Sequence, residues 1–324
     1  MIRNKKILIT GGLGFIGTHL AKELLKYSNK IYLIDNFSSR KKSKIEFINQ
    51  YKKKIVFIKS GISNFKKLPT LIKNIDIVYH LAASMGVENI IKNQPTHSIL
   101  NNLKSTQLIF QLCAQFNKRI IFTSSSEVYG LSSKTLVEDA RPNLGNPKIV
   151  RWNYAYTKLT EEFLAMSYFR EKKLKVTVAR LFNTVGEGQT NKNGMVISSF
   201  FSQALKNESI TVYGDGKQSR TFTYVKDVIY CLIKLSLSKN SYGEIVNIGG
   251  LNKISIIMLA KKIIKITNSK SKIKFVKLKK IYGDGAEDGR QGMPSLKKLK
   301  SLINYKPRTK LTKILEIIFK SRDI

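Results

Sequence analysis

Short apolar runs rich in β-branched residues alternate with longer segments of helical periodicity through the first half of the chain. The runs are apolar at consecutive positions rather than at every second one, which is typical of parallel strands buried on both faces. Their alternation with helices predicts an α/β fold with a doubly wound parallel sheet. The predicted strands are residues 7–9, 31–34, 55–58, 77–80, 119–122 and 176–179.

The pattern changes after about Leu181. Asn, Gly, Thr and Gln cluster over residues 183–194, short elements follow, and a further loop covers residues 282–294. We therefore predict two parts, a sheet domain over residues 1–182 and a smaller C-terminal α/β region for substrate binding over residues 183–324. The boundary is soft, because such a region can return strands to the main sheet.

The composition is that of a folded globular protein, since 42% of the 324 residues are hydrophobic and 24% are charged. The formal net charge is +37, from 58 Lys and Arg against 21 Asp and Glu. Such a charge fits either nucleic-acid binding or a lysine-rich solvated surface. The lysines are scattered, with small clusters at 41–44 and 52–54, and no nucleic-acid-binding motif accompanies them. We expect a solvated surface and no specific nucleic-acid partner.

The cysteines and the start of the chain indicate a reducing compartment. Cys113 and Cys231 each fall in an apolar stretch, so neither a disulfide framework nor a metal site is predicted. Residues 1–6 lead directly into the first predicted strand, without the apolar segment of a secretory signal. No apolar run approaches the ~20 residues of a membrane helix. We expect a cytoplasmic protein without membrane contact.

A glycine-rich turn, Thr-Gly-Gly-Leu-Gly-Phe-Ile-Gly, follows the first predicted strand and precedes a helix. It fits the G-x-G-x-x-G spacing through Gly12 and the related G-x-x-G-x-x-G spacing through Gly11, with Gly14 and Gly17 common to both. Such a turn lets the backbone approach a pyrophosphate, toward which the helix N-terminus directs N–H groups and the positive end of its dipole. The turn predicts a dinucleotide site of the Rossmann type.

Asp35 ends the second predicted strand. A carboxylate at this place can accept hydrogen bonds from the hydroxyls of the adenosine ribose. The same carboxylate repels a 2′-phosphate, which favours NAD over NADP, whereas nearby Arg40 is the feature that would suit NADP. We predict NAD as the cofactor.

Tyr154 and Lys158 form a Tyr-x-x-x-Lys pair, and positions i and i+4 of a helix share a face. An ammonium lowers the pKa of a neighbouring phenol, so Tyr154 is a candidate general base toward a substrate hydroxyl. Ser125 and Glu127 follow the fifth predicted strand, at the sheet edge where ligands bind. Strand alternation places both on one side if the chain stays extended, and Ser125 can then bond the substrate oxygen.

Together these motifs resemble the extended short-chain dehydrogenase/reductase family, in its nucleotide-sugar epimerase/dehydratase branch, over nearly the whole chain. The matching segments are residues 10–17, 80–83, 125–130, Tyr154 with Lys158, 180–186 and 212–220. The resemblance implies that tightly held NAD takes a hydride from a sugar carbon and returns it. It also implies Ser125, Tyr154 and Lys158 as the catalytic triad.

The resemblance further implies contacts to cofactor and substrate. The expected cofactor-binding residues are Gly11, Gly14, Phe15, Ile16, Gly17, Asp35, Asn36, Leu81, Ala82, Ala83, Tyr154 and Lys158. The expected substrate-binding residues are Ser84, Asn183, Val196, Tyr213, Arg220 and Arg290. Asn183 and Arg220 would contact the nucleotide diphosphate, for which arginine supplies a rigid fork of donors. A UDP-sugar is the expected substrate.

Two positions depart from the family pattern. Gly61 stands where relatives carry an Asp that bonds the adenine amino group, which predicts looser adenine binding. Residues 282–295 resemble the C-terminal loop of sugar-nucleotide decarboxylases, but Gly292 stands where those enzymes have an arginine two residues before the proline. Arg290 lies close to this position in a different register. The second departure counts against decarboxylation.

Three reactions on this scaffold begin with oxidation at C4, namely 4-epimerisation, 4,6-dehydration and decarboxylation. Glu127 could abstract the C5 proton in a dehydratase, but Ser126 stands where the deoxythymidine-linked glucose dehydratases usually have Asp. We therefore expect an enzyme similar to UDP-glucose 4-epimerase, with UDP-glucuronate decarboxylase and 4,6-dehydratase as alternatives. An inactive NAD- or nucleic-acid-binding protein is the non-enzyme alternative, against which the intact catalytic triad argues.

Two predicted helices, residues 95–116 and 151–170, carry more apolar positions than one core face needs. In the related family such helices pair across a two-fold axis into a four-helix bundle. We predict a homodimer.

Overall fold

The computed structural model describes residues 2–37, 42–84, 95–132, 134–189, 195–250, 253–277 and 292–321. Its strands are β1 (Lys6–Thr10), β2 (Lys30–Asp35), β3 (Ile55–Lys59), β4 (Ile77–His80), β5 (Arg119–Ser125), β6 (Lys175–Leu181), β7 (Thr184–Val185), β8 (Ile210–Tyr213), β9 (Ser219–Thr221), β10 (Thr223–Tyr224), β11 (Glu244–Ile248), β12 (Lys253–Ser255) and β13 (Ile273–Val276). Its α-helices are α1 (Phe15–Leu25), α2 (Lys42–Gln50), α3 (Leu68–Lys73), α4 (Pro95–Gln115), α5 (Asn153–Lys172), α6 (Val196–Leu205), α7 (Val225–Leu237), α8 (Ile256–Thr267), α9 (Lys297–Ile303) and α10 (Leu311–Ser321).

The central sheet has seven strands in the order β11-β6-β5-β4-β1-β2-β3, and every neighbouring pair is parallel. The chain winds outward from β1 to β3 and then crosses to β4 on the other side of β1. This reversal is the switch point at whose carboxyl ends ligands bind in open α/β sheets. All six predicted strands belong to this sheet, which confirms the doubly wound parallel architecture.

Side chains of successive strand residues enter two different cores. Ile7 and Ile9 of β1 pack on the face of the sheet covered by α1 and α7, in a cluster with Leu20 and Val228. Leu8 points to the opposite face, into the cluster that contains Phe110 of α4. Burial on both faces explains why the strands read as continuous apolar runs.

The C-terminal part of the chain contributes to the main sheet as well as to a smaller layer. β11 pairs with β6, with Val246 opposite Ala179. The remaining strands form three two-stranded pairs, β7 with β10, β9 with β12 and β8 with β13. The domain boundary at residue 182 stays a prediction. β11 follows this boundary in the sequence but belongs to the main sheet.

The helix that follows the glycine turn, α1, begins at Phe15, inside the glycine motif. Gly14 serves as its N-cap, and the Gly14 carbonyl accepts both the N–H and the hydroxyl of Thr18, at 3.0 and 2.8 Å. The helix predicted from residue 151 begins two residues later. α5 begins at Asn153 and is preceded by a short 3-10 helix, Val150–Trp152.

A buried ion pair fixes α5 against the sheet. Arg180 on β6 donates from Nε and Nη2 to the carboxylate of Glu162 on α5, at 2.9 and 2.7 Å, and both residues are buried. Its Nη1 donates to the carbonyl oxygen of Glu138, whose carboxylate accepts the N–H of Asn247 on β11. Removing one partner of such a pair costs about 3–5 kcal/mol. The helix of the predicted catalytic pair is therefore firmly anchored.

The lysine clusters differ in their surroundings. Lys52, Lys53 and Lys54 are exposed, in agreement with a solvated surface. Lys44 is half-buried and donates to the hydroxyl of Thr18 at 2.8 Å, so this member of the first cluster also makes a contact within the protein. None of the described helices is long and apolar enough to cross a membrane.

Candidate active site

The turn between β1 and α1 leaves no room for side chains at its glycine positions. Gly11 has a φ of +65°, and a Cβ there would lie 2.9 Å from the Cα of Ala82. A Cβ on Gly17 would collide with the carbonyl oxygen of Gly11, and Gly14 donates its N–H to that oxygen at 3.0 Å. The result is a cradle of bare backbone in front of the first N–H groups of α1, which have no partner within the helix. The cradle fits the pyrophosphate of a dinucleotide.

Asp35 lies beside this cradle at the end of β2. Its Oδ2 accepts the N–H of Leu13 at 3.0 Å, and its Oδ1 accepts the N–H of Phe37 at 2.8 Å. The carboxylate is thereby held in place, while each oxygen keeps a further lone pair for a ribose hydroxyl. Gly61, after β3, offers no carboxylate to an adenine, as the sequence indicates. Arg40 lies outside the described residues.

Residues 81–83 continue from β4 along the same sheet edge and are half-buried. The N–H of Ala82 donates to the hydroxyl of Thr10 at 3.3 Å, which ties this segment to the glycine turn. Ser84 is pinned to α4, since its N–H donates to Asn102 Oδ1 at 2.7 Å and its carbonyl accepts from the Asn102 amide at 3.2 Å. The predicted cofactor segment thus adjoins the cradle.

The three predicted catalytic side chains meet at the carboxyl end of β5. Ser125 ends the strand, and its hydroxyl lies beside the phenol of Tyr154, whose pKa it acts to lower. Lys158, one turn further along α5, is buried and donates to the carbonyl oxygen of Thr123 at 3.1 Å. The arrangement can bind a substrate hydroxyl and move its proton.

The electrostatic balance at Tyr154 differs from what the sequence predicts. Burial raises the pKa of the phenol, and the carboxylates of Glu161 and Glu127 raise it further, whereas Lys158 and the hydrogen bond from Ser125 lower it. The net direction is upward. The sequence predicts that Lys158 lowers the pKa of the phenol, but the Lys158 ammonium forms an ion pair with Glu161 at 3.0 Å, which offsets its charge.

Glu127 does not share a side with Ser125 through strand alternation. The chain leaves the extended conformation after Ser125 and enters a 3-10 helix, Ser126–Tyr129. The Ser125 hydroxyl accepts the N–H of Glu127 at 3.2 Å, so the serine caps this helix. The condition of an extended chain, on which the shared side of Ser125 and Glu127 depends, is therefore not met, and the cap is the physical reason.

An arginine that the sequence does not single out approaches Glu127. Arg151 Nη2 lies 3.8 Å from Glu127 Oε2, and the Arg151 guanidinium stacks on the ring of Trp152 at 5.0 Å. Trp152 is buried and is the last residue of the 3-10 helix that precedes α5. The charge of Glu127 raises the pKa of the Tyr154 phenol. The side of the site next to this phenol therefore carries both an anion, Glu127, and a cation, Arg151.

Two of the predicted substrate-binding residues, Asn183 and Arg220, lie in neighbouring segments. The Asn183 amide donates to the carbonyl oxygen of Thr221 at 3.0 Å, and Thr223 donates its N–H to the Asn183 carbonyl at 3.1 Å. Arg220 precedes Thr221 on β9, so Asn183 and Arg220 lie in neighbouring segments. This arrangement fits their expected role at a diphosphate.

The other expected contacts are less closely grouped. Val196 begins α6, Tyr213 ends β8 with 40% of its surface exposed, and Asn36 is exposed directly after β2. Phe15 begins α1 and stacks edge-on against His19. Arg290 lies outside the described residues.

Gly292 lies where the backbone passes directly against a neighbouring segment. Its N–H donates to the carbonyl oxygen of Ser132 at 2.8 Å, and the next residue, Met293, accepts the N–H of Leu136 at 2.7 Å. A Cβ on Gly292 would collide with the carbonyl oxygen of Lys134. No side chain fits here without a shift of the backbone, so packing explains the glycine and excludes an arginine from this position in this conformation.

Sequence reasoning missed two charged residues of the site. Glu161 could have been found, because Lys158-x-x-Glu161 is a spacing that joins side chains on a helix. Arg151 carries no such signal, since it meets Glu127 only through the fold.

The profile of the NAD dependent epimerase/dehydratase family matches residues 7–249. The chain belongs to this family. It is 36% identical to the UDP-N-acetyl-alpha-D-glucosaminuronate decarboxylase of Bacillus cytotoxicus, over 94% of this chain and 93% of the relative. It is 30% identical to UDP-glucuronic acid decarboxylase 1 of Xenopus tropicalis, over 94% of this chain and 68% of the relative.

Solved structures agree with this family assignment. The UDP-glucuronic acid 4-epimerase of Bacillus cereus, in complex with UDP-glucuronic acid and NAD, superposes with a TM-score of 0.86 at 30% identity, over 98% of both chains. The predicted family, fold class and NAD cofactor are thereby confirmed. The chain is an NAD-dependent enzyme of the nucleotide-sugar epimerase/decarboxylase group.

Replacing Asp35 by Ala should weaken NAD binding and reduce the preference for NAD over NADP. A hydrogen bond to a charged group contributes about 1.5–3 kcal/mol, which corresponds to a loss of roughly tenfold or more in affinity. Titration of the protein with each dinucleotide measures both effects. Asp76→Ala is the matched control, because Asp76 also accepts a backbone N–H, from Lys6, but at the opposite edge of the sheet. Unchanged NAD and NADP affinities in Asp35→Ala would contradict the assignment.

Replacing Tyr154 by Phe keeps the ring and removes the ionisable oxygen. General acid–base catalysis contributes about 10²–10⁴-fold, so turnover should fall at least about a hundredfold while NAD remains bound. Tyr156→Phe is the control, since Tyr156 is exposed and its hydroxyl donates to the carbonyl oxygen of Gly145 at 3.0 Å. Near-normal turnover by Tyr154→Phe would show that another group is the base.

Proposed function

We propose that this family member acts on a UDP-hexuronate, oxidises it at C4 with Tyr154 as the base, and releases the C5 carboxyl group as CO₂. The observation that carries the substrate class is Arg151 beside Glu127, which supplies a cation for a sugar carboxylate next to the Ser125–Tyr154 pair. The names of the relatives support the substrate class, because the two decarboxylases and the 4-epimerase all refer to UDP-hexuronates.

The first step uses the groups at the end of β5. The phenolate of Tyr154 accepts the proton of the C4 hydroxyl, and Ser125 hydrogen-bonds the same oxygen as it becomes a carbonyl. NAD, which the glycine cradle and Asp35 would hold, would supply the hydride acceptor for C4. Lys158 favours the phenolate, against the opposing effects of burial and of Glu161.

The second step follows from the position of the new carbonyl. A carboxylate at C5 is β to a ketone at C4, so the electron pair of the bond to the carboxyl carbon can move onto the C4 oxygen as CO₂ leaves. Ser125 and the protonated Tyr154 both donate to that oxygen, where negative charge develops. A proton from solvent then adds at C5, and the hydride that the reduced cofactor would supply, together with the proton held by Tyr154, restores the C4 hydroxyl. The reaction requires no base beyond the one that began it.

Retention of the carboxylate, with 4-epimerisation, is the second candidate. Gly292 favours it, because the arginine of the decarboxylase loop has no counterpart there and no side chain fits. The sequence motifs rank epimerisation first for this reason. We rank decarboxylation first because the similarity to a UDP-hexuronate decarboxylase extends over 94% of the chain at 36% identity.

We also propose that the protein is a homodimer formed through α4 and α5. These helices pack together and expose large apolar side chains, with Leu100 48%, Tyr156 40% and Phe163 66% exposed. Tyr156 and Phe163 are seven residues apart and so lie on one face of α5. A cytoplasmic location remains an expectation from the sequence.

The reaction is tested by incubating the holoenzyme with UDP-glucuronate and UDP-N-acetylglucosaminuronate and measuring product mass and stereochemistry. Loss of the mass of CO₂ is the expected result. A product of unchanged mass and inverted C4 would establish the epimerase instead. Absence of reaction with every UDP-hexuronate, together with turnover of UDP-glucose, would refute the substrate class.

In the same assay, Arg151→Gln should raise the KM for the UDP-hexuronate by about tenfold or more, since a charge-assisted hydrogen bond contributes about 1.5–3 kcal/mol. Arg141→Gln, an exposed arginine on a neighbouring loop, serves as the control. An equal effect of both substitutions would assign the change to general surface charge.

The dimer is tested with Phe163→Glu. A charged side chain in an apolar interface is left desolvated, so the variant should be monomeric at micromolar concentration, whereas the unmodified protein should have twice the monomer mass by light scattering. Phe275→Glu, which replaces a 52% exposed aromatic on β13, should leave the dimer intact. A monomeric unmodified protein would contradict the proposal.

A further inference from the structure

Glu161 is a buried acid next to the catalytic lysine. It lies on α5 with no exposed surface, and its Oε2 is 3.0 Å from the ammonium of Lys158, which is 2% exposed. The Lys158 ammonium also donates to the carbonyl oxygen of Thr123 at 3.1 Å. The charge that Lys158 presents to Tyr154 is therefore shared with Glu161.

A chain of hydrogen bonds reaches Glu161 from the cofactor side of the sheet. Thr10 Oγ1 lies 2.7 Å from His80 Nδ1, His80 Nε2 lies 3.0 Å from Thr106 Oγ1, and Thr106 donates to Glu161 Oε1. All these residues are buried. The N–H of Ala82 donates to Thr10 at the other end of the chain.

The chemistry of these groups fixes the direction of every bond. Thr106 has one hydroxyl proton and gives it to Glu161, so it must accept from His80 Nε2–H. A neutral imidazole has one N–H, so Nδ1 must accept the hydroxyl proton of Thr10. The donors therefore all point from the glycine turn toward the Glu161 carboxylate, whose other oxygen faces the Lys158 ammonium.

We infer that Glu161 is a positioning residue that fixes Lys158 and partly neutralises it, and that it thereby sets the pH range in which Tyr154 can act as a base. The inference rests on the proposed role of Tyr154 but not on the choice between decarboxylation and epimerisation. Because the anchoring chain begins at Thr10 and Ala82, the acid is tied to the segments that form the dinucleotide cradle.

The charged groups around the pair agree with this inference. Burial raises the pKa of Tyr154, and among its charged neighbours Lys158 lowers it while Glu161 and Glu127 raise it. For Lys158, burial lowers the pKa, and Glu161, Tyr154 and Glu162 raise it with a net upward direction. Glu161 therefore keeps the lysine protonated and at the same time opposes formation of the phenolate.

The other titratable groups on the elements that pack around Glu161 do not compete with it in setting the charge next to Lys158. On β4, burial and Lys158 lower the pKa of His80 to about 3, so this ring is neutral at working pH. On α4, His97 and Lys104 are exposed. Glu162, the next residue on α5, is bound by Arg180.

The test is the pH dependence of the holoenzyme with Glu161→Gln. Tyr154 acts as a base when deprotonated, so kcat/KM rises with pH through the apparent pKa of the Tyr154–Lys158 pair. Removing the neighbouring negative charge favours loss of a proton from the pair. The midpoint of the rise should move to lower pH by about one unit or more, the usual effect of one nearby charge.

A spectroscopic titration makes the test independent of turnover. The tyrosinate absorbance of each protein is recorded against pH, and the curve of the matching Tyr154→Phe variant is subtracted, which isolates this phenol. The Tyr154 midpoint should move to lower pH in Glu161→Gln. If Tyr154→Phe remained active, the proposed function would fail while this titration still decided the role of Glu161.

Glu161→Asp provides the conservative control, because it keeps the charge and shortens the side chain. It should retain the original midpoint even if the rate falls. An unchanged midpoint in Glu161→Gln would overturn the inference, and so would an equal shift in the Gln and Asp variants, since charge would then not be the cause. Bound NAD and the melting temperature verify that each variant is folded.

Discussion

Burial of the Lys158 ammonium is the constraint around which this site is organised. Removing a charge from water costs several kcal/mol unless the protein supplies partners of opposite charge and hydrogen-bond acceptors. Here the Glu161 carboxylate, the carbonyl of Thr123 and the ring of Phe122 surround the ammonium. These partners belong to α5 and β5, so the compensation also fixes the distance between helix and sheet on which the contact between Ser125 and Tyr154 depends.

The second constraint is the common direction of the strands. In a parallel sheet the loops after β1, β4 and β5 leave from one edge, and the crossover beside β1 opens a crevice between them. Close backbone approach narrows this crevice, as at Gly11 against Ala82. The hydrogen-bond chain from Thr10 through His80 to Thr106 runs beneath the same edge. Cofactor cradle and catalytic helix are thus joined by buried polar contacts rather than by packing alone.

Features that depend on local sequence were predictable. The strands could be recognised because burial on both faces requires continuous apolar runs, and the glycine turn because only glycine fits its contacts. Tyr154 and Lys158 could be paired because helix geometry alone brings them together. Family, fold class and NAD followed from these features and are confirmed by the comparisons.

Features that depend on contacts between distant segments were not predictable. The alternation of side chains between the two faces of β5 ends at Ser125, because this serine caps a 3-10 helix and the cap competes with continuation of the strand. The approach of Arg151 to Glu127 and the passage of Gly292 against Lys134 each need the tertiary fold. The upward pKa direction of Tyr154 was missed because it depends on burial, which no spacing reveals.

The side chains that act at C4 of the sugar, Ser125 and Tyr154, cannot by themselves determine the reaction. Every candidate reaction begins with the same proton and hydride transfer from C4. The difference must come from what surrounds the C5 substituent. A lone arginine would stabilise a bound carboxylate and so oppose its conversion to neutral CO₂. Arg151 is instead paired with Glu127, whose negative charge disfavours the carboxylate but has little effect on CO₂. Interactions that are weaker in the ground state than in the transition state accelerate a reaction, so in the proposed decarboxylation the pair would bind the hexuronate and still let its carboxyl group leave.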